Sequence, residues 1–503
     1  MAGSYRQVFL VVVALIVCGN LWERPARAEE VLATESLDQL LGNWDSAALR
    51  AAAKQAETPS LKALASGYLA FLQGEYGEAL RLGREAATCD NEDVRRKGEY
   101  LLDLAASWSS VLASTAQHKA ENLVLHVPIG EEDWASRIAP ELSAWTVEYF
   151  KLLGATRQDV TVVFLADRGQ LARLSGVPVT QLEQSGTVAT TVLGRIVLVS
   201  PSSFSNGYPW HIVFCHELVH LMLHLRRAFG IPHYLEEGLA SLLEEWSAYS
   251  ERRELTSMDR ALLYLAGQEN FLLSREQLEQ PFWQLNDPLQ VRVAFMQALL
   301  AARELHRRGG NETILGFVDA VAGGESWESA LEAVTGMSIA SFWGRVEARW
   351  KDSASREFLP SFLYSDGHKH LSKKGRKAVV RGRETVLLGD LLWGRGHHTA
   401  ALAVYLRLAV ELQSTPDVIW RICRVLLALN RIEEAVERVA AALVRHPRDA
   451  RVLYSGALVY RAANQEDLAG PLAKEAFKIN PFASETLKMI EIPGEIPADD
   501  SKL

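Results

Sequence analysis

The segment HELVH, residues 216–220, holds two histidines four residues apart with a glutamate beside the first. On a helix, His216 and His220 lie on one face, about 6 Å apart along the axis. Two imidazoles at that separation can reach one Zn²⁺ at about 2.0–2.1 Å. Glu217 then stands within reach of a water on the metal and can take its proton as a general base. Two ligands do not complete such a site, so a third is required. His224 is a poor choice, because the eight residues from His216 span about 12 Å of helix rise. His211 fails against His220 for the same reason. That leaves a carboxylate on the next segment, GIPHYLEEGLASLLEE, where Pro232 stands at a helix-start position.

These residues belong to a chain of 503 residues with a formal charge of -9 and 48% apolar residues. The length predicts more than one domain, and the composition is that of a globular protein. The acidic balance argues against nucleic acid or an anionic membrane as partner. Residues 1–28 read as a secretory signal: Arg6, the apolar run VFLVVVALIVC, and an A-x-A cleavage site at Ala26–Ala28. That run is shorter than the roughly 20 residues that span a bilayer. The expectation is an exported protein, periplasmic or secreted, with no membrane span after cleavage. Cleavage leaves Cys89, Cys215 and Cys423, an odd set without C-x-x-C, so no disulfide framework is expected.

Residues 29–118 read as helices, with Gly67 twelve residues before Ala79. In residues 119–355 the strand signals LVLHVP and VTVVFLA come first, and TVATTV-LGR-IVLVS predicts a hairpin around Gly194. Helices follow as far as Trp350, so the fold class is α+β and mostly α. Residues 356–384 read as a basic linker, and residues 486–503 as a patternless tail. Between them, over 385–485, Ala401, Ala435 and Ala469 recur every 34 residues, as do Pro447 and Pro481. Gly389 and Tyr405 fit the first of these units, while Pro416 is displaced from the position of its closing proline. The pattern resembles the tetratricopeptide repeat, which implies a surface for a substrate or protein partner.

The segment YLEEGLASLLE resembles the W-L-x-E-G-x-A signature of gluzincin metallopeptidases. The order of strands, HELVH and LEEGLAS, ending in a tryptophan-bearing helix, is similar to the peptidase-MA-like domain over residues 120–352. This resemblance implies a thermolysin-like domain, a small mixed sheet plus helices, flanked by helical repeats. It implies Zn²⁺ bound by His216, His220 and Glu237, with Glu217 as general base. Glu244, two turns on, would hydrogen-bond a ligand histidine, and Glu236 would be the solvent-side neighbour of the ligand. Leu223 and Arg226 stand where a metzincin has glycine and histidine, which excludes that class. Sixteen residues separate His220 from Glu237, against eighteen in the related aminopeptidases, and no G-x-M-E-N segment precedes the motif. Both departures favour an endopeptidase acting on peptide or protein substrates. Phe295 stands where relatives often carry an oxyanion-binding tyrosine, leaving Tyr249, Tyr264 and His233 as alternatives. RIVLVS is the strand expected to offer its edge to an extended peptide. The competing reading is a non-catalytic repeat scaffold carrying a degenerate peptidase domain.

Overall fold

The computed structural model describes residues 34–204, 207–244, 272–285, 287–353, 385–411 and 415–482, with isolated positions between 255 and 267. The expected signal, the basic linker and the patternless tail lie outside these residues. The chain divides into two compact units. The first comprises residues 1–200, 212–252 and 273–347, and the second residues 201–211, 253–272 and 348–503.

The first unit begins with five helices: α1 Thr34–Gly42, α2 Ser46–Gln55, α3 Pro59–Leu72, α4 Tyr76–Ala87 and α5 Glu92–Leu112. Their starts are written locally. The side chains of Asp45, Thr58 and Asn91 accept hydrogen bonds from free backbone N–H groups of the first turns of α2, α3 and α5. Gly67 lets α3 sit close to its neighbours, since a Cβ there would lie 2.5 Å from Leu101 Cδ2 and 3.2 Å from Leu82 Cβ.

A five-stranded mixed sheet follows, built from β1 Thr115–Ala120, β2 Leu123–Pro128, β3 Val160–Leu165, β4 Ala189–Val192 and β5 Arg195–Val199. Its order is β1-β2-β3-β5-β4, with parallel pairs in the middle and an antiparallel pair at each end. The helix α6, Glu132–Leu153, connects β2 to β3. Among the described residues the protein is thus mostly helical with one small mixed sheet, as its sequence predicts. Two expectations need correction. The strand β1 (TAQHKA) has little apolar alternation and was not foreseen. RIVLVS is no edge: β5 pairs with β3 on one side and β4 on the other, and all five of its residues are buried. A continuous apolar run marks an interior strand. The end of the sheet on this side is β4.

The β4–β5 hairpin turns through Leu193 (φ 47°) and Gly194 (φ 78°), two left-handed residues that match strand twist. Just past the turn, Arg195 is buried against the helical layer. Its guanidinium donates to the carbonyls of Leu193 (2.8 Å), Phe71 (2.8 Å) and Leu72 (3.0 Å). The rings of Phe71, Tyr76 and Trp108 surround it at 5.1–5.7 Å. The cation therefore meets the negative end of the α3 dipole inside an aromatic cage.

Two short helices, α7 Arg168–Ser175 and α8 Val179–Ser185, lead from β3 to the hairpin. After β5 come α9 Trp210–Leu225, α10 His233–Leu243, α11 Pro288–His306, α12 Asn311–Ala322, α13 Trp327–Thr335 and α14 Ile339–Ser353. In the second unit a helix over 385–394 precedes α15 His398–Glu411, α16 Pro416–Ala428, α17 Ile432–Arg445, α18 Ala450–Ala462 and α19 Glu466–Ile479. Ala401, Ala435 and Ala469 are all completely buried, and Pro447 and Pro481 follow the ends of α17 and α19. Tyr405 lies against Gly389, and its hydroxyl donates to Asp390. Pro416 opens α16 in its first turn rather than closing α15, a position where its missing N–H costs nothing.

His224, near the end of α9, stacks on Trp44 with ring centroids 3.4 Å apart. Burial pushes its pKa down to about 4, below the ordinary value near 6.5. As pH falls through the window between these values, the unfolded chain takes up the proton before the folded one does. The stabilisation from keeping His224 neutral is complete above about pH 6.5 and lost towards pH 4, by up to roughly 3 kcal/mol. We expect His224→Phe to lose less unfolding free energy than the wild type between pH 7 and 4.5 in parallel urea titrations.

Candidate metal centre

Helix α9 carries HELVH on a strongly buried helix: Cys215, Leu218, Val219, Leu221 and Met222 are all fully buried. This fixes the rotation of the helix and turns His216 and His220 towards α10. The turn between the two helices includes Arg227 in a left-handed conformation (φ 59°), with the Ala228 N–H closing on the Leu223 carbonyl at 3.1 Å. On α10, Glu237 is followed by Gly238. A Cβ at Gly238 would clash with the Ala298 carbonyl of α11 and lie 3.1 Å from Ala302 Cβ. The glycine after Glu237 therefore lets α10 and α11 meet backbone to backbone, which sets the height of Glu237. At the end of α10, the Tyr149 hydroxyl from α6 donates to the Leu243 carbonyl, beside Glu244.

The three residues expected as ligands meet. His216 Nε2 is 3.2 Å from His220 Nε2 and 3.2 Å from Glu237 Oε2, and His220 Nε2 is 3.7 Å from Glu237 Oε2. Among the described residues, these form the only group of three or more such side chains arranged to hold a metal ion. Tetrahedral ligands at about 2.0–2.1 Å from zinc stand roughly 3.3–3.4 Å from one another, so the triangle has the right size.

Hydrogen bonding decides which way the nitrogens face. His216 Nδ1 lies 3.0 Å from Glu244 Oε2, and His220 Nδ1 lies 3.0 Å from Glu236 Oε1. An ionised carboxylate only accepts, so each Nδ1 carries the hydrogen and donates it. With both rings neutral, each Nε2 then presents a lone pair, and two lone pairs and a carboxylate oxygen face one point. Such a donor set repels itself unless a positive charge sits among it, which fits a divalent cation. The carboxylates around the rings favour a positive charge here, and without a cation a proton on His216 supplies it. Burial disfavours the charged form of His216, yet Glu237 and Glu244 outweigh it and raise its pKa to about 9. Burial would likewise raise Glu237, but His220, His216 and His233 hold it well below the ordinary carboxylate range.

The general-base candidate, Glu217, is only 7% exposed. Burial raises its pKa, offset in part by His220, His216 and the Thr191 hydroxyl. Thr191 Oγ1 lies 2.9 Å from Glu217 Oε2. Glu244 lies against His216 Nδ1, the contact the resemblance leads one to expect. Glu236 is partly exposed, as expected of a solvent-side neighbour, and is also the partner of His220 Nδ1, which was not expected. Two candidate ligand histidines call for two Nδ1 acceptors, so counting partners would have pointed to it. Thr191 had no such signal, being 26 residues from Glu217 in sequence. His224 is turned to Trp44 and His211 belongs to the second unit, so neither joins the triangle.

Phe295 from α11 stands beside the site, its ring 6.2 Å from that of His216. Of the alternative donors, Tyr249 lies outside the described residues and Tyr264 falls in the second unit. His233 Nε2 accepts the Phe282 N–H at 3.3 Å, so its neutral ring carries the proton on Nδ1 and has none to give from Nε2.

Two substitutions test this construction. Glu236→Ala frees His220 to rotate or change tautomer, and is expected to weaken metal affinity by about 10–100-fold, read by chelator competition. Gly238→Ala must separate α10 from α11, so a melting temperature lowered together with metal affinity is expected, whereas unchanged affinity would mean that the helix contact does not set Glu237. No protein-family model matches the chain and no curated protein is significantly similar to it, so the chemistry of the site rests on its geometry.

Proposed function

We propose that the protein is a zinc-dependent endopeptidase of the gluzincin type, exported from the cell. The observation that carries this reading is the triangle of His216 Nε2, His220 Nε2 and Glu237 Oε2, with both Nδ1 hydrogens tied to carboxylates and Glu217 alongside. A zinc ion held there supplies Lewis acidity to the scissile carbonyl and lowers the pKa of a water to about 7. The rest is done by the chain. Glu217, buried and therefore more basic than an exposed glutamate, takes the water's proton and returns it to the leaving amine. Glu236 and Glu244 hold the two imidazoles in one tautomer, so that neither can turn its N–H towards the site. β4, the sheet strand next to Glu217, offers its outer edge to an extended peptide.

Export rests on the apolar N-terminal segment and its A-x-A site. Among the described residues no helix is long and apolar enough to cross a membrane. The 34-residue repeats serve a substrate or partner protein. They contain a cleft of 630 Å³ lined by Ile419, Ile422, Glu434, Glu437, Arg438 and Arg445 among others, mixed in charge. One observation favours the rival reading of a metal-binding but silent scaffold: Phe295, beside His216, has no hydroxyl to stabilise a developing oxyanion.

The decisive measurement pairs zinc content with hydrolysis of fluorescein-labelled casein. Wild type is expected to hold about one zinc per chain and to lose it in Glu237→Ala. Glu217→Gln is expected to keep zinc while losing about 10²–10⁴ in rate. Zinc unaffected by Glu237→Ala would sink the ligand set. Zinc bound normally with no casein cleavage by the wild type would favour the scaffold.

A further inference from the structure

We propose that Thr191 is a positioning residue for the base, fixing which oxygen of Glu217 receives the proton; this rests on the peptidase reading above. Its hydroxyl is 2.9 Å from Glu217 Oε2 and 3.1 Å from the carbonyl oxygen of the same residue. A hydroxyl has one hydrogen, and the Glu217 carbonyl and an ionised Oε2 are both acceptors. While Glu217 is ionised, the stronger hydrogen bond goes to the charged oxygen. Oε2 is then engaged, the carboxylate cannot spin about its last torsion, and Oε1 is left for the water. Once Oε1 has taken the proton the carboxyl is neutral and the bond to Oε2 weakens. The Thr191 hydrogen can then turn to the carbonyl, an acceptor already in range. When Oε1 gives the proton to the leaving nitrogen, the hydroxyl turns back. No proton leaves Thr191 at any point, so the balance is that of peptide hydrolysis alone.

The placement of Thr191 suits this role. It lies on β4, paired with Ile196 of β5, in a hairpin whose turn is held from behind. Arg195 ties Leu193 to the carbonyls of Phe71 and Leu72, and Gly194 lies on Trp44, with a Cβ position 3.6 Å from the ring. A hydroxyl on a strand fixed at its turn holds its partner more tightly than one on a free loop. Because β4 is also the end strand of the sheet, the same four-residue segment that would align a peptide backbone sets the orientation of the base.

The test uses full-length, zinc-loaded Thr191→Val, which keeps the shape and removes the hydroxyl, and Thr191→Ser, which keeps the hydroxyl. Zinc content and chelator-competition affinity should match the wild type in both, because Thr191 touches no ligand atom. On fluorescein-casein, Thr191→Val is expected to lower kcat by about 10–100-fold with KM within about twofold. Thr191→Ser is expected to recover kcat to within about threefold. A second readout needs no turnover: urea unfolding of Thr191→Val, Glu217→Ala and the double variant should be non-additive, because both single changes break one contact. An unchanged kcat in Thr191→Val, an equal loss in Thr191→Ser, or strict additivity would each overturn the role of Thr191 alone. Loss of zinc in Thr191→Val would also overturn it, by making the residue structural. Zinc-loaded wild type that cleaves nothing would instead overturn the peptidase reading, and the positioning role with it.

Discussion

The candidate site depends on where two hydrogens are kept. Each imidazole has one N–H in its neutral form, and that hydrogen can sit on either nitrogen. Glu244 claims it on His216 Nδ1 and Glu236 claims it on His220 Nδ1. Only because both are held on the far side do two lone pairs converge with the Glu237 oxygen. If either histidine adopted the other tautomer, an N–H would point into the triangle, and the donor set would satisfy itself without any cation. The three acidic residues of α10 and its end thus divide the work by direction: one faces the convergence point, and two stand behind the rings.

That division explains how much the sequence revealed. The spacing of His216 and His220, and Glu217 beside them, follows from helix geometry, so they were legible from five letters. Glu237 and Glu244 were legible from resemblance, because seven residues on a helix return to nearly the same face. The contact of Glu236 with His220 was not legible, because the resemblance assigns that residue only the solvent side and adjacent residues on a helix diverge by about 100°. Here the second face of α10 looks at the other histidine. The hairpin around Gly194 was legible from its turn residues, but the place of its strands in the sheet was not. Strand order is a long-range property, and β5 is interior because β3 and β4 both reach it. The same limit hid Thr191, whose contact with Glu217 exists only after the sheet has formed beside α9. The helical repeats were legible because their period is written three times over in alanine.

Close approach is the second theme of the first unit. Gly67 stands where a side chain would press on Leu101 and Leu82, and Gly238 where a neighbouring helix backbone leaves no room for one. At Gly238 the consequence bears on the site as well as on packing, because the residue before it is the candidate ligand Glu237. A helix pair brought to backbone contact has little freedom to slide, so Glu237 is fixed in depth by the wall behind it.

Arg195 links the helical layer to this chemistry. Its charge lies under Phe71, Tyr76 and Trp108, and its hydrogens are used by the last carbonyls of α3. If the chain were cut ahead of β1, none of those groups would remain. The guanidinium would be left at the root of the β4–β5 turn facing water. The N-terminal helices are therefore not an appendage to the sheet and site. They end a helix, with open carbonyls, over the arginine that anchors the turn, and a layer exchanged for them would have to do the same.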